Sequence, residues 1–137
     1  MAGPRSAFDH PNRLGIEHTK WVVVGAGARD GYQVPIALHE AGLLDQFFTD
    51  FYAPLDGFAL ANLVPLAIRK RLQRRFAREL PSSQVHTSLR YLWKARRNAS
   101  AWTQQSHLLG ERAGQVAQEC GCGIVAYSHV ATSAFQK

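Results

Sequence analysis

Apolar and polar positions fall into blocks of two different periods along this chain. Trp21-Val22-Val23-Val24 is a continuous, mostly β-branched apolar run closed by Gly25, the pattern of a strand buried on both faces. Gly25 to Gly31 is a glycine-rich turn. Val34, Ile36, Ala37, Leu38 and Ala41 then give a helical pattern, with Pro35 in the first turn, where its missing N–H is harmless, and Gly42 as the stop. Asp45 to Asp50, rich in aromatics and Thr, predicts a second strand, left through Phe51-Tyr52-Ala53-Pro54 and the Asp56-Gly57 turn. Val64, Ile68, Leu72, Phe76 and Leu80 recur every four residues and predict a long helix over 61–80 that Pro81-Ser82-Ser83 ends. Gln84 to Ser88 is a candidate third strand, and 89–97 has a basic, helical character. Trp102, Leu109, Ala113, Val116 and Cys120 share one face of a predicted helix over 100–120, stopped by Gly121. Gly123 to Ser128 reads as a fourth strand, and a last helix begins at Val130.

Strands and helices therefore alternate. The expected fold class is α/β: a Rossmann-like, mostly parallel sheet of about four strands with helices on both faces. Residues 1–19 are polar, carry Pro4 and Pro11, and are expected to be a disordered leader to a domain over 20–137. In open sheets of this class ligands sit beyond the carboxyl ends of the strands, so attention falls on residues just after Val24, Thr49 and Tyr127. The length, 137 residues, suits one domain and excludes a large two-domain enzyme.

Charge adds a second theme. The net charge is +6, yet ten basic residues between Arg69 and Arg97 face only Glu79. Arg69, Lys70, Arg71, Arg74, Arg75 and Arg78 lie on the predicted second helix, and such a block suggests an anionic partner: a phospholipid surface, nucleic acid or a phosphorylated ligand. Nucleic acid is the disfavoured partner, because the aromatics do not interleave with the basic block. No apolar stretch reaches the length of a membrane span, and the leader has no apolar core of signal-peptide type. Export is therefore not expected. Cys120 and Cys122, one residue apart, give no disulfide framework and only half a metal site, so they read as a helix end and no metal is expected.

The turn Gly25-Ala26-Gly27 invites a dinucleotide reading, with Asp50 as a ribose-binding acid, but Asp30 stands where the fingerprint has its third glycine. Against that reading stand a purely structural turn and a site for phosphate or sugar hydroxyls on the backbone N–H groups beside Arg29.

Residues 25–54, GAGARDGYQVPIALHEAGLLDQFFTDFYAP, resemble the start of bacterial glycosyltransferases of the GT-B, family-four type. Arg29, Tyr32, Gln33, Ala41-Gly42-Leu43-Leu44, Thr49-Asp50 and Tyr52 match that pattern, and the arginine-rich segment 69–78 and Tyr127-Ser128-His129 fit it. The resemblance implies a partial GT-B N-terminal, acceptor-side domain, incomplete at its C-terminus and inactive alone. A nucleotide-sugar donor would bind a missing C-terminal domain, and the acceptor would be a glycan or lipid-linked. The resemblance also implies work in the cytoplasm, peripheral to the inner face of the membrane, with Arg69, Lys70, Arg71, Arg74, Arg75 and Arg78 facing its anionic surface. Gly25, Gly27, Arg29, Gly31, Tyr32 and Gln33 would bind acceptor or phosphate. His129 and Asp30 are the two candidates to deprotonate an acceptor hydroxyl, and no resident cofactor is implied. His39 and His107 read as surface residues. The alternative function is a nicotinamide- or flavin-binding domain of an oxidoreductase.

Overall fold

The computed structural model describes residues 19–28, 30–53, 65–87 and 99–135. Residues 1–18 of the leader and the basic segment 89–97 lie outside the described residues. The elements are β1 (Trp21–Gly25), α1 (Gln33–Glu40), β2 (Leu44–Thr49), α2 (Leu66–Gln73), a 3-10 turn (Ser82–Gln84), β3 (Val85–Thr87), α3 (Ala99–Cys120), β4 (Gly123–Ala126) and α4 (Ser128–Ala134). The four strands form one sheet in the order β3-β2-β1-β4, and every pairing is parallel. The chain is thus α/β with a Rossmann-like sheet.

The order explains the layers. The crossover β1-α1-β2 moves one way across the sheet, and β3-α3-β4 moves back past β1. With right-handed crossovers, α1 and α3 must then cover opposite faces. The core divides accordingly. Val22, Val24 and Phe48 pack with Leu109, Ala113 and Ala117 of α3 and with Val130 and Ala134 of α4. Val23, Leu44 and Phe47 pack on the other face with Tyr32, Tyr52, Ala77 and Leu80, beside Ile36 and Leu38 of α1. Val22, Val23 and Val24 have no exposed surface, as the unbroken apolar run requires of a central parallel strand.

Three expectations need correction. The predicted helix over 61–80 is cut short. Among its described residues, α2 ends at Gln73 and buries none of its side chains, with Leu66 and Ile68 left 68% and 50% exposed. Tertiary bonds outcompete the helix beyond that point. The Arg75 carbonyl accepts from the Ala53 N–H at 3.0 Å. The Tyr52 hydroxyl donates to the Ala77 carbonyl at 2.6 Å, with that of Leu80 3.2 Å away. Phe76, Ala77 and Leu80 are then free to join the core as an irregular segment. Secondly, Cys120 and Cys122 are joined as a disulfide. Thirdly, His39 is no idle surface residue: its Nδ1 lies 2.8 Å from Oε1 of Gln84, whose amide donates to the Leu44 carbonyl at 3.0 Å. That pair fastens the 3-10 turn to α1 and β2. No helix among the described residues is long and apolar enough to cross a membrane.

Helices α3 and α4 approach closely because α3 presents Gly110 and Gly114 to α4. A Cβ on Gly110 would lie 2.5 Å from the Val130 carbonyl oxygen, and one on Gly114 2.6 Å from that of Ala134. Both obstacles are backbone and cannot rotate away. Gly110→Ala is therefore expected to destabilise the chain, because overpacking against backbone that cannot rotate away falls in the upper part of the usual range, about 2–3 kcal/mol, and exceeds the ~1 kcal/mol that alanine gains in helix propensity. A lower urea midpoint with an unchanged m-value checks this; a higher midpoint refutes it.

Candidate functional site

Asp50 follows the last residue of β2, so the sheet delivers its carboxylate to the carboxyl end beside the turn that leaves β1. There it collects three donors. Oδ1 accepts the Gly27 N–H at 2.8 Å, the Thr49 hydroxyl at 3.2 Å and an Arg75 Nη1–H at 3.0 Å. Oδ2 accepts from the same Arg75 nitrogen at 3.2 Å. The Asp50 side chain is 13% exposed and that of Arg75 34%. A carboxylate this buried is stable only when paired and hydrogen-bonded, and both conditions are met. Gly27 has φ +89°, a conformation that side chains with a Cβ resist, and this aims its N–H at Asp50.

Around this knot lies a cleft of about 650 Å³ lined by Ala26, Gly27 and Ala28, by Arg71, Arg74 and Arg75, and by Trp102 from the start of α3. Asp50 neutralises Arg75. Arg71 and Arg74 are exposed and form no ion pair among the described residues, so they leave the cleft cationic. Guanidinium forks suit phosphate or carboxylate oxygens, and Trp102, 40% exposed, supplies an aromatic surface beside them.

The residues singled out from the sequence separate into groups. Gly27 lines the cleft. Gly25 is buried at the end of β1, where the Tyr127 ring covers it. Tyr127 also donates its backbone N–H to Val24 at 3.0 Å, which closes the β1–β4 junction. Asp30 is exposed near this ring, and its charge, after burial, helps to raise the Tyr127 pKa. Gly31 and Gln33 are exposed at the start of α1. Arg29 lies outside the described residues, and so does the side chain of His129, the second residue of α4. Tyr32 is in the core instead of the cleft: it is 4% exposed, meets Phe47 and Tyr52 edge-on, and donates its hydroxyl to the Phe51 carbonyl at 3.3 Å. The row of basic residues also splits. Arg71, Arg74 and Arg75 border the cleft, whereas Arg69, Lys70 and Arg78 do not. The apolar spacing places Trp102 on the core face of its helix, and nothing in the sequence marks it as a cleft residue. Among the described residues one group of potential metal ligands occurs, Asp45 with Cys120 and Cys122, at the amino ends of the strands and away from the cleft.

No protein-family model, curated protein or solved structure matches the chain. The site therefore stands on its own geometry.

Two outcomes follow. Asp50→Ala strands the Gly27 N–H and the Arg75 guanidinium, and should cost about 2 kcal/mol in chemical denaturation, with solvent screening of half-open Arg75 keeping it from being larger. Asp50→Ala with Arg75→Ala should cost less than the sum of the single changes by about 1 kcal/mol; strict additivity refutes the link. Burial, opposed by the Arg75 charge, pushes the Tyr32 phenol up from 10.0 to about 12. The folded state thus holds this proton more tightly than the unfolded one. Its contribution is fully present below pH 10 and is lost as pH rises from about 10 to about 12. Ultraviolet phenolate titration should show a tyrosine ionising near 12 that Tyr32→Phe removes; an unchanged titration curve would count against this burial.

Proposed function

We propose that residues 20–137 form the acceptor-side domain of a glycosyltransferase resembling the GT-B, family-four type. One observation carries the reading: a cleft at the carboxyl ends of parallel strands is bordered by a glycine turn, by Arg71, Arg74 and Arg75, and by Trp102. Cationic forks beside an aromatic surface and a close-approach backbone suit an anionic sugar, either a phosphorylated glycan or a lipid-linked acceptor with its phosphate. In this reading Asp30 and His129, which flank the β1–β4 junction in the chain, are the residues to test as the base that accepts the acceptor hydroxyl's proton. The nucleotide-sugar belongs to a second α/β domain, and transfer is a property of the two domains together. Arg69, Lys70 and Arg78, outside the cleft lining, would draw the domain to the anionic cytoplasmic face of a membrane.

The placement of Asp50 at the end of β2 favours the alternative, a nicotinamide or flavin nucleotide held by its ribose. Its carboxylate, however, already accepts from Gly27 and Arg75, and the Gly27 N–H that a pyrophosphate needs is taken by that same carboxylate. Binding calorimetry separates the two. A hexose phosphate should bind, a neutral methyl hexoside should bind far more weakly, and Arg71→Ala with Arg74→Ala should lower the hexose phosphate affinity by about tenfold or more. Tight NADH binding with no response to hexose phosphate would overturn the reading.

A further inference from the structure

At the pole opposite the cleft, the amino ends of the strands bring together three side chains with metal-binding chemistry. Cys120 ends α3, Cys122 directly precedes β4, and Asp45 is the second residue of β2. Both sulfurs and a carboxylate oxygen lie within 4.8 Å of one another. Cys120 is exposed and the other two are half-buried, so solvent reaches the group. The structure joins the two cysteines. A bridge around a single intervening residue closes so small a loop that it constrains the unfolded chain little, which leaves fold stability as a weak reason for the pair.

A second, independent observation concerns Asp45. In the β1–β2 register Trp21 pairs with Leu44 and Val22 with Gln46, so Asp45 is the extra residue of a bulge. Bulges re-aim side chains. Leu44 and Phe47, three positions apart, both enter the core cluster on the α1 face, which strict alternation forbids. Cys122 packs against the cluster on the opposite face, and the Asp45 carboxylate meets it there. The Asp45 carboxylate forms no hydrogen bond or ion pair among the described residues.

We propose that Cys120, Cys122 and Asp45 form a redox-gated site for a thiophilic divalent cation such as Zn²⁺. In the oxidised chain the sulfurs are bonded to each other and offer no thiolate. A dithiol reductant supplies two electrons and two protons: the S–S bond breaks, two thiols form, and the reductant is converted to its own disulfide. Zn²⁺ then displaces both thiol protons into solvent and is held by two thiolates and the Asp45 carboxylate, with water in the fourth position. Tetrahedral zinc separates such ligand atoms by about 3.5–3.8 Å, inside the observed 4.8 Å limit.

The test is equilibrium dialysis of the full chain against Zn²⁺, after dithiol reduction and, separately, after oxidation. One equivalent bound by the reduced chain and none by the oxidised chain is expected. Cd²⁺ in place of Zn²⁺ should give sulfur-to-metal charge-transfer absorption that Cys120→Ser or Cys122→Ser weakens and the double change abolishes. Asp45→Asn should weaken Zn²⁺ binding by about tenfold or more, since changes even to outer-shell partners cost that much. Circular dichroism of this variant separates loss of a ligand from loss of fold, and the redox comparison needs no substitution. Equal Zn²⁺ uptake by oxidised and reduced chains, or uptake unaffected by Cys122→Ser or by Asp45→Asn in a folded chain, overturns the proposal.

Discussion

The Asp50 carboxylate is the constraint on which this end of the molecule is built. A charge at a strand terminus with 13% of its surface exposed must find donors or neutralise. It finds them on its own strand, through the adjacent Thr49, and on two segments distant in sequence, the glycine turn through Gly27 and the arginine segment through Arg75. Each bond has a structural consequence. The Gly27 bond fixes the turn in its left-handed conformation. The Arg75 bond helps pull the chain out of the helix that its apolar spacing would otherwise continue. Neutralising Arg75 leaves the cationic character of the cleft to Arg71 and Arg74.

Much of the fold is legible in the sequence because its strongest signals are local. The Val22-Val23-Val24 run, the turn that follows it, α1 and the face of α3 carrying Leu109 and Ala113 appear within a residue or two of where periodicity places them. The exception, α2, shows what local reading misses. Leu72, Phe76 and Leu80 keep a helical spacing, yet Phe76 and Leu80 reach the core only because Tyr52 and Ala53 capture the carbonyls beyond Gln73. The competing bonds come from residues more than twenty positions away, which no window of sequence reveals.

The site divides along the same line. The glycine turn and the acid after β2 can be read from spacing alone. Tyr32 cannot: its place directly after Gly31 of the glycine turn reads as a loop, and only its packing against Phe47 and Tyr52 shows it to be core. The arginines read as one solvated or membrane-facing row, because helical spacing spreads them around a cylinder; the early end of α2 is what turns Arg75 inward. Asp45 is hidden for a different reason. A bulge is a property of register between two strands, and it leaves no mark on the sequence of one.

These facts bear on how firmly the cleft is shaped. Because α2 buries none of its side chains, its described residues gain little from packing on the sheet, and such elements open at low free energy. What locates Arg71 and Arg74 is the segment that follows them, held by the Arg75 guanidinium on Asp50 and by the Ala77 and Leu80 carbonyls on Tyr52. Among the described residues, the cationic side of the cleft is thus tied to the sheet through the Asp50–Arg75 ion pair, the Ala53 N–H on the Arg75 carbonyl and the Tyr52 hydroxyl, while its glycine side is continuous with a fully buried strand. An anion bound between Arg71 and Arg74 would add contacts on the weakly held side only. Its binding should therefore order α2 more than any other element, because the ligand's stabilisation falls where the apo fold is least supported.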